Sequence, residues 1–579
     1  MRKLFFLLGF MLMTISSWAW DIEVDYPPVY IDGCYYYFTD DGAWLSYGAH
    51  RGYPEEPEFW IIEDTCYSGD VIVPESVNGV PVVGIMNQTF VGCTLTSLQL
   101  PNTIKSIGSD AFYNCTCPEV RIPGSVETIG SDVFSACNFN KLVFEYGTTS
   151  LKFTGRLFNN SSVSELYIDR DYVKDSYVGF NPASLKKVTI GDNMTELSNS
   201  MFEYNQTLES ITFGLLIKEI PKAICNSCSA LKSIYFSNGI THIGQRAFSS
   251  CSALSAIIIP EGVTHIDESA FKGCSVASEL SLPSTLKVIR SEAFYGDVNL
   301  ASVSIPASVD SIGTLAFYNC RILDFTIEDG NNPINLQFYN SYPWCGILDD
   351  SPLQRLHLGR KHTGGQTFKF KTLKSVSFGD AVDEINEATF QNCDSLTSIT
   401  WGKGLKRIGK NAFNNCKSLP SITIPEGVTQ IDESAFNGCF DAAELSLPST
   451  LTNIGAYAFD RCYAMLKVTC HALTPPQMQN SSIFLNDTYN NGTLYVPSTS
   501  IEDYRQADYW YRFSNIAAAL IPGDVDGDGQ VGIGDIADLT DYILGIADSS
   551  FIVDNADVDG DGQVGIGDIA ELIDMLLGN

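Results

Sequence analysis

Short apolar runs of the form L-x-x-I-x-I recur along most of the chain. Each is followed by V-x-x-I-G-x-x-A-F-x-x-C. One unit reads LSAIIIPEGVTHIDESAFKGC (Leu254–Cys274) and another LPSITIPEGVTQIDESAFNGC (Leu419–Cys439). Apolar residues two apart point to one face of a strand. The runs often stop at a proline, as at Pro260, Pro283, Pro306, Pro425 and Pro448, which cannot continue a hydrogen-bonded ladder. The central apolar residues fall at Leu98, Val120, Leu142, Leu166, Val188, Ile211, Ile234, Ile257, Leu280, Val303, Phe325, Leu356, Val376, Ile399, Ile422, Leu445, Val468 and Leu494. Most steps are 22 to 24 residues, so the pattern predicts eighteen strands. The second half of each unit returns apolar residues to the same interior, with Phe112, Phe248, Phe271, Phe294, Phe317, Phe390, Phe413, Phe436 and Phe459 in one register. One unit cannot bury its own apolar face, but stacked units close a continuous core. The predicted fold is therefore a β-rich solenoid of about 18 repeats of about 23 residues.

The motif L-x-x-I-x-I-P-x-x-V-x-x-I-x-x-x-A-F-x-x-C resembles BspA-type leucine-rich repeats over Val71 to Leu494. The stretch TCHALTPP (Thr469–Pro476), with TLYVPSTSIEDYRQADYW (Thr493–Trp510), is similar to the closing segment of such proteins. The resemblance implies macromolecular binding, as in adhesins for host matrix proteins, without naming a ligand. Residues 254–296 and 419–461 match at an offset of 165, the mark of a block duplication. Within the irregular segment 322–372 the step from Phe325 to Leu356 is 31 residues, so Asn331–Gly346 is either a protruding loop or a decayed repeat.

Composition sharpens the class. The 579 residues are 45% hydrophobic and 18% charged, a globular balance. The net charge of −33 argues against nucleic acid and anionic membranes as partners. Arg2 and Lys3, an apolar core over Leu4–Met13, and Ser17-Trp18-Ala19 read as a signal peptide over 1–19. No later segment is long and apolar enough to be a transmembrane segment. The expected organisation is an N-terminal cap over 20–70, the solenoid with its closing segment over 71–515, and a separate module over 521–579. The expected location is extracellular, secreted or at the cell surface.

Periodic polar residues invite chemistry but have plainer readings. Cys93, Cys115, Cys137, Cys251, Cys274, Cys320, Cys393, Cys416, Cys439 and Cys462 stand three residues after the Phe. They read as a column of buried small hydrophobes rather than metal ligands. Cys34 and Cys66 flank the cap and are disulfide candidates. His242 and His265 share a register and read as turn positions rather than chelators. The outward strand positions carry mainly hydroxyls (Thr189, Thr212, Ser281, Ser304, Ser377, Thr400, Thr423, Ser446), interrupted by Tyr167, Tyr235, His357 and Tyr495. Acidic pairs in IDES (Ile266–Ser269 and Ile431–Ser434) lie on repeat turns. No separate segment is long enough for a catalytic domain, so the reading is a non-enzyme.

The sharpest chemistry is C-terminal. Residues 521–579 hold thirteen Asp, one Glu and no Lys or Arg. The stretch DVDGDGQVGIGDIA occurs twice, at Asp524–Ala537 and Asp557–Ala570. Each copy fits a twelve-residue calcium loop. In the first, Asp524, Asp526 and Asp528 supply side-chain oxygens, Gln530 a backbone carbonyl, and Asp535 closes the site. In the second, Asp557, Asp559, Asp561, Gln563 and Asp568 do the same, so two Ca2+ ions are expected. Gly529 and Gly562 allow the sharp turn. Apolar-periodic helices follow each loop, but Ile521–Asp524 (IPGD) argues against a helix before the first. Two loop–helix units ending in Asp resemble type I dockerins over Gly523–Gly578. That resemblance implies a small α-helical module, docking to a cohesin, and partner contacts at Ile533, Gly534, Ile566 and Gly567. It also suggests a place in polysaccharide breakdown. The solenoid's own partner would be an extracellular protein or glycan. The alternatives are a surface adhesin with the module as anchor and, more remotely, a polysaccharide hydrolase.

Overall fold

The computed structural model describes residues 29–31, 34–46, 67–173, 180, 182–337, 346–519, 522–547 and 551–577. The expected leader over 1–19 and Cys66 lie outside them, so the Cys34–Cys66 pairing does too. The chain divides into two compact units, Met1–Leu254 and Ser255–Asn579.

In the first unit, strands Val29–Ile31, Cys34–Thr39 and Gly42–Ser46 pair antiparallel. The third adds parallel to Val80–Ile85, which opens a ladder through Ser106–Ile107, Thr128–Ile129 and Lys152–Phe153. The cap therefore covers one end of a parallel sheet whose edge would otherwise stay unpaired. A second parallel sheet follows the motif register: Leu142 pairs with Val120 and Leu166, then Leu166 with Val188, Val188 with Ile211 and Ile211 with Ile234. The ladder also gains an earlier member, since Val71 pairs with Leu98.

The second unit repeats the plan. Val303, Phe325, Leu356, Val376 and Ile399 form one consecutive run of partners. Ile422, Leu445, Val468 and Leu494 form another, which continues to Ile516 on the unforeseen strand Asn515–Ala518. The V-x-x-I half-motif makes the two-residue strands of the other sheet, such as Arg407–Ile408 beside Gln430–Ile431. In the irregular segment, Asp324–Ile327 and Ile334–Leu336 still pair with both neighbouring coils. The coil is thus retained, and residues 338–345 of the segment lie outside the described residues.

Phenylalanines stack through the interior. Ring centroids are 5.1 Å apart for Phe390–Phe413 and 5.2 Å for Phe413–Phe436, with interplanar angles of 13° and 7°. The turn around each Phe carries left-handed residues two before and two after it, as at Asn411 (φ 56°) and Asn415 (φ 60°) around Phe413. Asn tolerates this conformation better than most residues, and Gly438 (φ 79°) fills the second place in the next coil.

Cysteines stand in the predicted column but do more than fill space. The thiols of Cys320, Cys393 and Cys416 donate to the carbonyls of Phe294, Phe368 and Phe390 at 3.2, 3.1 and 3.3 Å. Cys228 does the same to Phe202. Each thiol satisfies a buried carbonyl of the preceding coil.

Two short helices follow the last repeats, α1 (Asn486–Asn491) and α2 (Ile501–Gln506). Two longer ones, α3 (Ile533–Ile543) and α4 (Ile566–Leu577), form the C-terminal module. No described helix is long and apolar enough to cross a membrane.

Candidate calcium loops and docking face

Each repeated motif folds as a loop that runs into its helix, α3 or α4, and among the described residues no helix leads directly into the first loop. The loops are wound by their own carboxylates. Asp524 Oδ2 accepts the Gly529 amide at 3.1 Å, Asp526 Oδ1 that of Asp528 at 2.8 Å, and Asp528 Oδ1 that of Gln530 at 2.8 Å. The second loop repeats the pattern with Asp557 to Gly562, Asp559 to Asp561 and Asp561 to Gln563. The left-handed Gly529 and Gly562 (φ 88° and 84°) make the turn.

Three carboxylates converge in each loop: Asp524, Asp526 and Asp528, then Asp557, Asp559 and Asp561, with one oxygen from each within 4.8 Å of the others. Among the described residues no His or Cys joins such a group. His265 instead sits on a two-residue strand, its Nδ1 2.9 Å from Thr264 Oγ1. Asp535 and Asp568 stand at the closing position but outside these triads. Asp535 Oδ1 accepts the Val525 amide at 2.8 Å and Oδ2 the Gly532 amide at 2.7 Å. Asp568 holds Val558 and Gly565 in the same way. The closing carboxylate thus ties the start of the loop to the first turn of the helix, where negative charge is favoured.

The donor set fits a hard cation. Asp524 Oδ1 and Asp557 Oδ1 are buried oxygens without a hydrogen-bond partner, at the same place in both loops. Such a group is costly unless something electropositive faces it. Burial, reinforced by Asp535, pushes the Asp524 carboxyl up to about 6. Burial also raises Asp535. For Asp568 burial acts upward too, but the Gly565, Asp559 and Val558 amides outweigh it and hold the group below its ordinary range.

The module has a small core. Val525, Leu539, Ala556 and Leu572 are buried, with Val531, Ile536, Phe551, Val564 and Ile569 packed against them. Ile533 and Ile566, at the start of α3 and α4, are 82% and 78% exposed. Gly534 and Gly567 follow them and are also exposed. The four expected partner-contact residues therefore lie in equivalent exposed places, one pair on each helix.

Three of the four acids of the IDES turns pair with bases of neighbouring coils. Asp267 pairs with Arg290 at 2.9 Å, Asp432 with Arg407 at 2.5 Å and Glu433 with Lys410 at 2.9 Å.

Comparison with known proteins gives the same two parts. The family model for the BspA type leucine rich repeat region matches residues 83–209, 218–343 and 361–486, and that for the dockerin type I domain matches residues 522–577. No curated protein matches. Similar solved structures include a leucine-rich repeat protein from Bacteroides ovatus, 21% identical over 76% of this chain and 94% of that one (TM-score 0.34). A leucine rich cell surface protein from Faecalibacterium prausnitzii is 22% identical over 77% and 95% (TM-score 0.23). A leucine-rich repeat protein from Eubacterium ventriosum is 17% identical over 70% and 92% (TM-score 0.24).

Proposed function

Because this chain belongs to the BspA-type leucine-rich-repeat family and ends in a dockerin type I domain, we propose that it is a secreted, non-enzymatic binding protein that its C-terminal module attaches to a cohesin-bearing assembly. Dockerin type I domains bind calcium, and leucine-rich repeats and dockerins are binding modules. One ion is held by Asp524, Asp526, Asp528, the Gln530 carbonyl and Asp535, and a second by Asp557, Asp559, Asp561, the Gln563 carbonyl and Asp568. Calcium supplies the positive charge that lets these carboxylates sit together. The chain's part is to wind the loops and to present the helices that follow.

The observation that carries the docking reading is the exposure of Ile533 and Ile566 in a module that fully buries four apolar residues among the described ones. A partner that covers both isoleucines removes apolar area from water at about 25 cal/mol per Å2. The solenoid, with its hydroxyl-bearing strand face, recognises a separate extracellular protein or glycan. The assembly so formed serves polysaccharide breakdown.

The test is capture of the full chain by a panel of cohesin modules. Capture that EDTA abolishes, and that Ile533→Asp with Ile566→Asp weakens by an order of magnitude or more, supports the proposal. Binding to matrix protein that survives EDTA, with no cohesin captured, would favour a free adhesin instead.

A further inference from the structure

The two calcium loops are identical in sequence and unlike in setting. Gly527 and Gly529 in the first loop are buried, whereas their counterparts Gly560 and Gly562 are exposed. Ser498 and Thr499, in the solenoid's closing segment, both donate to the Gly527 carbonyl, at 3.5 and 3.2 Å. A Cβ added at Gly527 would lie 2.2 Å from Ser498 Oγ, and one at Gly529 3.0 Å from Pro497 Cγ. At Gly560 and Gly562 the same atom would meet nothing within 4 Å. A groove of about 400 Å3, lined by Glu426, Ser449, His471, Gly529, Gln530 and Val531, runs along the contact.

We propose that the closing segment of the solenoid is a working part of the first calcium loop: Ser498 and Thr499 hold the Gly527 peptide, so the two identical loops bind calcium unequally, the first more tightly. The inference rests on the calcium reading above. Position 4 of the loop lies between the second and third ligand-bearing aspartates. Fixing its carbonyl from outside fixes the peptide that sets the spacing of Asp526 and Asp528. A loop already held in shape loses less freedom when it closes on an ion. Among the described residues the second loop has no such contact at Gly560, so it must order itself on binding. The same contact links the calcium state of the first loop to the attachment of the module to the solenoid. Any tightening of the loop by calcium is matched by a tightening of that attachment, because linkage is reciprocal.

The experiment is calcium titration calorimetry on the full chain. Asp559→Ala with Asp561→Ala leaves only the first site, and Asp526→Ala with Asp528→Ala leaves only the second. The first site is expected to bind roughly five- to tenfold more tightly, the scale of two modest hydrogen bonds. Ser498→Ala with Thr499→Ala should erase that difference while leaving the second site unchanged. These hydroxyls lie at the surface of the closing segment, and an unchanged thermal transition of the solenoid would show that the substitution leaves it folded. Equal affinities at the two sites would overturn the proposal while leaving the calcium reading intact. So would an equal effect of the double substitution on both. Absence of any calcium binding by the unsubstituted chain would overturn both readings.

Discussion

The repeat coils and the C-terminal module reach order by opposite means. A coil such as that around Phe413 buries an aromatic ring between two others, with backbone bonds to the next coil at 2.7 Å. Its charged residues pair across coils at the surface, as Lys410 does with Glu433. The module buries four apolar residues and carries fourteen acids with no base. Apolar stacking suffices for the first, whereas the crowded carboxylates of the second favour a counter-charge among them. The contrast teaches that one chain can combine coils ordered by their own apolar stacking with an end whose order, on the calcium proposal, depends on a bound ion.

Calcium removal tests this contrast with the largest effect. EDTA should abolish the helical signal of α3 and α4 and leave the β-sheet signal and its thermal transition in place, read by circular dichroism with scanning calorimetry. A single transition that shifts as a whole would break the comparison. The next effect belongs to the coils. Phe413→Ala removes a fully buried ring and is expected to cost about 3–5 kcal/mol. The loss in urea unfolding should be the same with and without calcium. A loss that grows on adding EDTA would show the two parts to be one cooperative unit.

Much of this was legible in the chain. The spacing of Val120, Leu142 and Leu166 gave the true pairing register, because a strand that slips by one residue exposes its apolar set. The acidic triads were legible from spacing alone. Ile516 was not, since its strand follows two helices and lacks the motif. Arg170 and Arg360 were not either. Both are buried, and both donate to carbonyls of earlier coils, Arg170 to Gly124 and Thr149, Arg360 to Pro306. Those carbonyls converge only once the coils are stacked, and an isolated Arg in sequence reads as a surface residue. The unequal setting of the two calcium loops lies beyond any reading of identical residues.

The smaller predictions concern the cysteine column, where the comparison can be carried down to a single carboxylate. Cys416→Ala removes the thiol that meets the Phe390 carbonyl and should cost about 1–2 kcal/mol, while Cys416→Ser, which keeps a donor, should cost less. In one coil the column holds an acid: Asp297 stands three residues after Phe294 and is fully buried. Its Oδ1 accepts the Cys274 amide at 2.7 Å, and its Oδ2 has no partner. Burial pushes this carboxyl well above its ordinary range. In the loops a bound cation is the proposed partner of the carboxylates, whereas at Asp297 burial favours the protonated form. In its protonated form the carboxyl offers a donor at the column position where other coils carry a thiol. The unfolded chain releases the proton near the ordinary pKa of about 4, and the folded chain only at higher pH. Between the two the folded state binds more protons, so stability falls as pH rises through that window. Asp297→Asn keeps a donor and removes the titration. It should flatten the pH dependence and raise stability at neutral pH by about 1 kcal/mol, the scale of one buried hydrogen bond. Urea midpoints at several pH values, taken with calcium and with EDTA, decide the matter. A variant whose midpoints follow the parent at every pH would mean that Asp297 is charged in the folded coil, and that the solenoid too tolerates a buried carboxylate without neutralising it.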